Sequence, residues 1–387
     1  MTLFCVLGQT NSFGVFQELY TRSHTASASK NSWIGSFQLF LTVATGLPAG
    51  KLLDMGYFKP VFLAGSVLYV FSCFMLSLVH LDRYYQMFLC QSIGMGIGGG
   101  LLYLPAVAIQ AHHWKDHRAF AIGVVFSGAS AGGIAFPIML NRLFHGSVGF
   151  AWGVRASAFL ILGLLSIANL VMSPGNTAPN KVSPTTPPHQ GMQRILRDMP
   201  YVLVVLGVFC INWGLFFPIF YLQLFATVHG VAYSVAFYTQ AMSNASSIVG
   251  RAVCGFLADA VGPFNVFTPA CLGVAVLLFG MLGIKTTPAI IAFAVLYGFC
   301  TGAYLALLAP IVASMTEDKA EIGQRIGFAF FVTAFGSLLG TPVQGALLGE
   351  RFEWDRAMIF SGVMSSIGTC LVAIAGFIFS RRRTQLV

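Results

Sequence analysis

The chain has 387 residues, of which 57% are hydrophobic and only 9% charged, with 42 glycines, 36 phenylalanines and a mean hydropathy of +0.79. That composition excludes a water-soluble globular domain and points to an all-α polytopic membrane protein embedded in the lipid bilayer. The net charge of +9 then reflects topology and attraction to anionic lipid rather than nucleic-acid binding.

In chain order, apolar runs cover Leu3–Tyr20, Trp33–Leu53, Val61–His80, Tyr85–Gln110, Ala119–Leu143, Ala151–Met172, Tyr201–Thr227, Val235–Ala258, Val266–Gly283, Ala289–Ser314, Gly327–Leu348 and Ala357–Ser380. Each is close to the ~20 residues that cross a ~30 Å hydrocarbon core, so about twelve transmembrane helices are expected. The first run starts almost at Met1, contains Gln9, Thr10, Asn11 and Ser12, and lacks a basic n-region and a small-residue cleavage site. It reads as a shortened first helix, not as a signal peptide. Between Met172 and Tyr201 the chain is rich in Pro, Thr and Ser, a linker composition. The expected organisation is a six-helix bundle over residues 1–173, a linker over 174–199, and a second six-helix bundle with a short basic tail over 200–387.

Lys and Arg in alternate connections set the orientation. One side carries Lys51, Lys59, Lys115, Arg118, Lys181, Arg194, Arg197, Lys319, Arg325 and Arg381 to Arg383; the other carries Arg22, Lys30, Arg83, Arg142, Arg155, Lys285, Arg351 and Arg356. The excess on the first side places both termini in the cytosol.

The two halves repeat. GKLLD (Gly50, Asp54) and GFLAD (Gly255, Asp259) end the second and eighth runs, and Pro137 corresponds to Pro342; 255−50, 259−54 and 342−137 all equal 205. Repeats of this kind build transporters whose substrate site lies where the halves meet. A carboxylate at a helix end can hold neighbouring backbone amides, and glycine one turn earlier lets helices approach closely. Gly50, Asp54, Gly255 and Asp259 are therefore candidates for a cytosolic gate, with simple end capping as the alternative.

Arg251 lies eight residues before Asp259, about 12 Å deeper along a helix. A guanidinium there costs on the order of 2.5–3.5 kcal/mol to insert and needs a partner. All of the acidic residues map to helix ends or connections, so an anionic or strongly polar substrate is the candidate partner, with helix carbonyls or Asn244 as the structural alternative. Asn11, Gln38, Tyr103, Asn212, Asn244 and Tyr304 also fall inside apolar runs. Such groups are substrate contacts or interhelical hydrogen bonds. Asn244 and Tyr103 join Arg251 as candidate substrate-binding residues.

Other patterns carry no chemistry. Gly94 to Gly99 matches G-x-G-x-x-G but lies within a membrane helix, without the strand that a dinucleotide site requires. Gly128-Ala-Ser130-Ala-Gly132 matches G-x-S-x-G but has no histidine in reach. His113 and His117 are one turn apart with no third ligand, and the eight cysteines show no C-x-x-C spacing. No catalytic residue, metal site or cofactor is expected, and the chain does not read as an enzyme.

The doubled G-x-x-x-D element, Arg251, and stretches such as SFGVFQ (Ser12–Gln17), WIGSFQLFL (Trp33–Leu41), GKLLDMGYFKP (Gly50–Pro60), RAFAIGVVFSGASAGGIAFP (Arg118–Pro137) and IGQRIGFAFFVTAFGSLLGTPVQGALL (Ile322–Leu348) resemble the major facilitator superfamily, in its fungal monocarboxylate-transporter-like branch. The resemblance implies alternating-access transport of a small organic anion or metabolite, with Arg251 matching the arginine that contacts substrate carboxylate. Proton-coupled lactate carriers of that family hold a lysine where this chain has Val15 and an aspartate where it has Ser247. The expected function is a secondary-active or facilitative transporter, either a secondary-metabolite exporter or a carboxylate or vitamin importer; a non-transporting membrane sensor is the alternative from another class. The expected location is the plasma membrane, with the vacuolar membrane as the alternative.

Overall fold

The computed structural model describes residues 1–22, 28–110, 118–173, 195–316, 322–349 and 353–385, and every regular element among them is helical. In chain order these are α1 Thr2–Asn11, α2 Phe13–Arg22, α3 Ala28–Ala44, α4 Gly46–Asp54, α5 Phe58–Leu76, α6 Tyr84–Ala108, α7 Arg118–His145, α8 Gly149–Val171, α9 Met199–Val228, α10 Tyr233–Val261, α11 Pro263–Gly280, α12 Thr287–Ser314, α13 Ile322–Leu348 and α14 Trp354–Gln385. The connections around His113 and His117, most of the linker, and the side chains of Asp54 and Arg118 lie outside the described residues.

Nine of these helices, α5 to α9 and α11 to α14, are long and apolar enough to cross a membrane. The first two apolar runs depart from the expectation of continuous helices. The run through Leu3–Tyr20 breaks at Ser12, where the Thr10 and Ser12 hydroxyls donate to the carbonyls of Val6 and Gly8, each at 2.9 Å, in competition with the backbone ladder. The run through Trp33–Leu53 breaks at Thr45, three residues before Pro48, which has no N–H to give to the Ala44 carbonyl. The third departure is α10, 29 residues long but too polar to pass as a span on hydropathy. Ser243, Asn244, Ser246, Ser247, Arg251 and Asp259 make it so.

Glycines let backbones touch where these helices pack. A methyl at Gly302 would stand 2.5 Å from the Ser247 carbonyl, which joins α10 to α12; one at Gly207 would stand 2.8 Å from the Gly368 carbonyl, which joins α9 to α14. Gly8 and Gly132 join α1 to α7 in the same way. One buried core, from Cys5 to Ala168, belongs wholly to the helices before the linker, while a second mixes residues from both sides of it. The contacts across are specific: α7 packs on α10 and α12, and α3 and α4 pack on α13. Tight turns at Gly56 (φ +85°) and Gly262 (φ +93°), a backbone region open to glycine, follow α4 and α10 and return the chain as α5 and α11.

Candidate functional site

The two crossings are related by the internal repeat. At one, a Cβ on Gly255 of α10 would lie 2.9 Å from the Ala119 carbonyl oxygen of α7; at the other, a Cβ on Gly50 of α4 would lie 2.8 Å from that of Gly323 in α13. One turn deeper, Gly123 meets the Arg251 carbonyl (2.6 Å) and Gly327 meets that of Gly46 (3.0 Å). The pairs are equivalent: 255−50 and 251−46 give 205, while 323−119 and 327−123 give 204. Arg251 thus has Gly46 as its counterpart, and the repeat places a guanidinium on one side only.

Asp259 lies half-buried at the end of α10 and reaches across to α7. The N–H of Ala119 donates to its Oδ1 and the N–H of Phe120 to its Oδ2, both at 2.9 Å. These are unsatisfied donors of a helix first turn, where the macrodipole also favours negative charge. The carboxylate therefore caps a helix on the far side of the crossing. Asp259→Asn replaces one acceptor with an NH2 group and removes the charge, at a cost of about 1–2 kcal/mol. The expected outcome is a roughly tenfold rise in opening at this end, read as faster maleimide labelling of a cysteine at the buried Ala119 in a background without native cysteines.

Arg251 is buried, with 5% of its surface exposed, and no ion pair reaches it among the described residues. Its Nη1 donates to the carbonyl of Phe126 on α7, and its Cζ lies 5.8 Å from the Phe126 ring centroid. Its Nε is buried with no partner. Tyr103 of α6 stands edge-on to Phe126 (6.0 Å, 86°) and stacks on Phe330 of α13 (5.6 Å, 22°). Phe330 is the repeat counterpart of Phe126, since 330−126 equals 204. Arg251, Phe126, Tyr103 and Phe330 form one layer, two residues from each side of the linker, and all four are buried.

The layer includes two of the three residues expected at a substrate site. Asn244 is seven residues earlier on α10, about 10 Å along the helix, where its Nδ2 donates to the Gly133 carbonyl at 3.2 Å. It is not the partner of Arg251; of the two structural partners expected for the guanidinium, a helix carbonyl, that of Phe126, is the one that forms. At Gly133 the Asn11 and Asn244 amides converge, and a Cβ there would lie 3.0 and 2.9 Å from their nitrogens. Other interior polar groups are used between helices: Gln38 Nε2 donates to Thr10 Oγ1 (3.3 Å), Tyr304 to Asn212 Oδ1 (2.8 Å), and Asn212 Nδ2 to the Thr333 carbonyl (3.2 Å). Ser247, one turn before Arg251, accepts from Ser130 at 3.2 Å, so a neutral hydroxyl pair occupies that position.

Sequence reasoning missed Phe126 and Phe330, which the repeat offset relates to each other but which nothing local marks out among the 36 phenylalanines. It also missed Asp198, whose carboxylate holds Arg325 at 3.0 Å and Arg382 at 3.1 Å, while Tyr201 donates to the Arg325 carbonyl at 2.8 Å. This cluster ties the starts of α9 and α13 to the end of α14.

Residues 1–293 match the family model described as the Major Facilitator Superfamily. The chain belongs to that superfamily. Similar superfamily proteins include the Aspyridones efflux protein apdF of Emericella nidulans, 37% identical over 95% of this chain and 74% of its own length, and the Agnestins efflux protein AgnL12 of Paecilomyces divaricatus, 32% identical over 97% and 85%. Among solved structures, the facilitator FucP in its outward conformation superposes with a TM-score of 0.74 at 17% identity, over 97% of this chain and 96% of that one. This facilitator is accordingly a multi-pass membrane transporter and not an enzyme.

Proposed function

We propose that this facilitator exports organic anions by alternating access, through a site at Arg251 gated by the Gly50/Asp54 and Gly255/Asp259 elements. The observation that carries the reading is the guanidinium itself: buried at the crossing of the two halves, with a carbonyl for the hydrogen bond of its Nη1 and a buried Nε that has no partner. A transported anion supplies the missing countercharge. An ionisable residue within the membrane marks a functional site by default. Tyr103 sits in the same layer, and Asn244 lines the level above it.

In this reading α1 with α2, α3 with α4, and α10 add three spans to the nine, which makes twelve in two six-helix bundles, 1–173 and 200–387, joined through a linker at 174–199. Basic residues outnumber those opposite at the end that carries Asp259, which supports a cytosolic position for that end and for both termini. The close backbone contacts there then describe a cytosol-closed state, and rocking of one bundle on the other opens it. Export is supported by relatives named as efflux proteins, and the monocarboxylate-transporter-like branch by the sequence motifs around Arg251. The Ser130–Ser247 pair puts neutral hydroxyls one turn before Arg251 on α10, which supports transport uncoupled from protons through that position. The plasma membrane is the proposed location.

Flux of a panel of labelled organic acids in proteoliposomes, with and without a pH gradient, tests the proposal. Saturable flux that the gradient does not accelerate through the protein is the expected result. Absence of flux from folded protein would favour a non-transporting sensor.

A further inference from the structure

The geometry points to a flat, conjugated anion as the ligand class: an acidic group at one end for Arg251 and a planar body that slides between Tyr103 and Phe330. This rests on Arg251 being the anion site. Tyr103 and Phe330 stack at 5.6 Å with planes 22° apart, and they belong to opposite bundles. Separation of the bundles therefore parts two ring faces without re-posing either ring, and what opens is a slot with parallel walls. The counterpart crossing holds Gly46 where this one holds Arg251, and a Cβ on Gly46 would make only ordinary van der Waals contact with the Phe330 Cβ, at 4.0 Å. Phe126 closes the slot edge-on at 86°.

The electrostatics are one-sided. Ring faces carry the negative part of the aromatic quadrupole, so they repel a compact anion set over them and accept an uncharged flat surface. The negative charge must then project past the ring edge, to the guanidinium whose Nε has no partner. A slab about 3.5 Å thick replaces the ring-on-ring contact on both of its faces; a puckered saturated ring cannot.

The test uses two acids of equal charge and carbon count, naphthalene-2-carboxylate and its fully saturated decalin analogue, in competition for flux in proteoliposomes. The wild type is expected to prefer the flat acid by about tenfold. Phe330→Leu is expected to bring the ratio close to one, and Phe330→Tyr, which keeps a ring, to retain it. Equal flux of both acids that Arg251→Ala abolishes would overturn the planar class and leave the anion site standing. Flux of both acids unaffected by Arg251→Ala would overturn the anion site and the planar class together, and no protein-dependent flux of either acid would overturn the class assignment.

Discussion

Arg251→Ala is expected to reduce anion flux by on the order of 100-fold while the protein still inserts and folds. A hydrogen bond to a charged group is worth about 1.5–3 kcal/mol, and each 1.4 kcal/mol is tenfold; loss of two donors and the charge together lies at the upper end. Folding survives because the partner lost is the Phe126 carbonyl, which lies within α7 and keeps its own helical hydrogen bond. The thermal midpoint should stay level or rise, since a buried guanidinium is a net cost that the empty protein carries for its ligand. Arg251→Lys keeps the charge without the planar fork and should fall between the two. Flux in proteoliposomes beside a thermal melt in detergent checks both parts; a large drop in melting temperature with Arg251→Ala would instead mark Arg251 as a structural tie.

The second large effect is expected at the contact glycines. Gly255→Leu places a branched side chain where a Cβ alone would lie 2.9 Å from the Ala119 carbonyl oxygen and 3.1 Å from the Phe120 Cα, both backbone atoms that cannot turn aside. Overpacking of this kind costs about 1–3 kcal/mol. Here the cost falls on one conformation, the one in which α7 and α10 touch, so the variant favours the state open at the Asp259 end. A 3 kcal/mol bias shifts the equilibrium by roughly 150-fold, and flux should fall by about 100-fold. Gly50→Leu should act alike through Gly323, at 2.8 Å, whereas Gly280→Ala, with open space around it, should transport normally. Maleimide labelling at position 119 separates arrest in the open state from misfolding.

Much of this arrangement was legible in the sequence, for reasons that differ by residue. The Gly50/Asp54 and Gly255/Asp259 repeat announced two equivalent crossings, and the crossings exist because glycine at those positions admits a backbone. Arg251 stood out because charge is expensive in an apolar run, and the same polarity keeps α10 below the hydropathy of a spanning helix. The rings could not be read: with 36 phenylalanines in the chain, nothing local distinguishes Phe126 and Phe330, and their stacking with Tyr103 exists only once α6, α7 and α13 meet. Asn244 was legible as a polar residue with a purpose, but its partner, a carbonyl at Gly133, has no side-chain signature. The breaks at Ser12 and Thr45 were missed because hydropathy counts residues and takes no account of hydroxyls returning to the backbone or of the N–H that Pro48 lacks.

The role of Arg251 as the anion site is tested most directly by equilibrium binding of naphthalene-2-carboxylate and of its neutral carboxamide to wild-type protein and to Arg251→Ala. The wild type is expected to bind the acid at least tenfold more tightly than the amide, and Arg251→Ala to bind the two alike, having lost affinity only for the acid. Equal affinity of the wild type for both compounds, or a preference for the acid that survives in Arg251→Ala, would contradict that role.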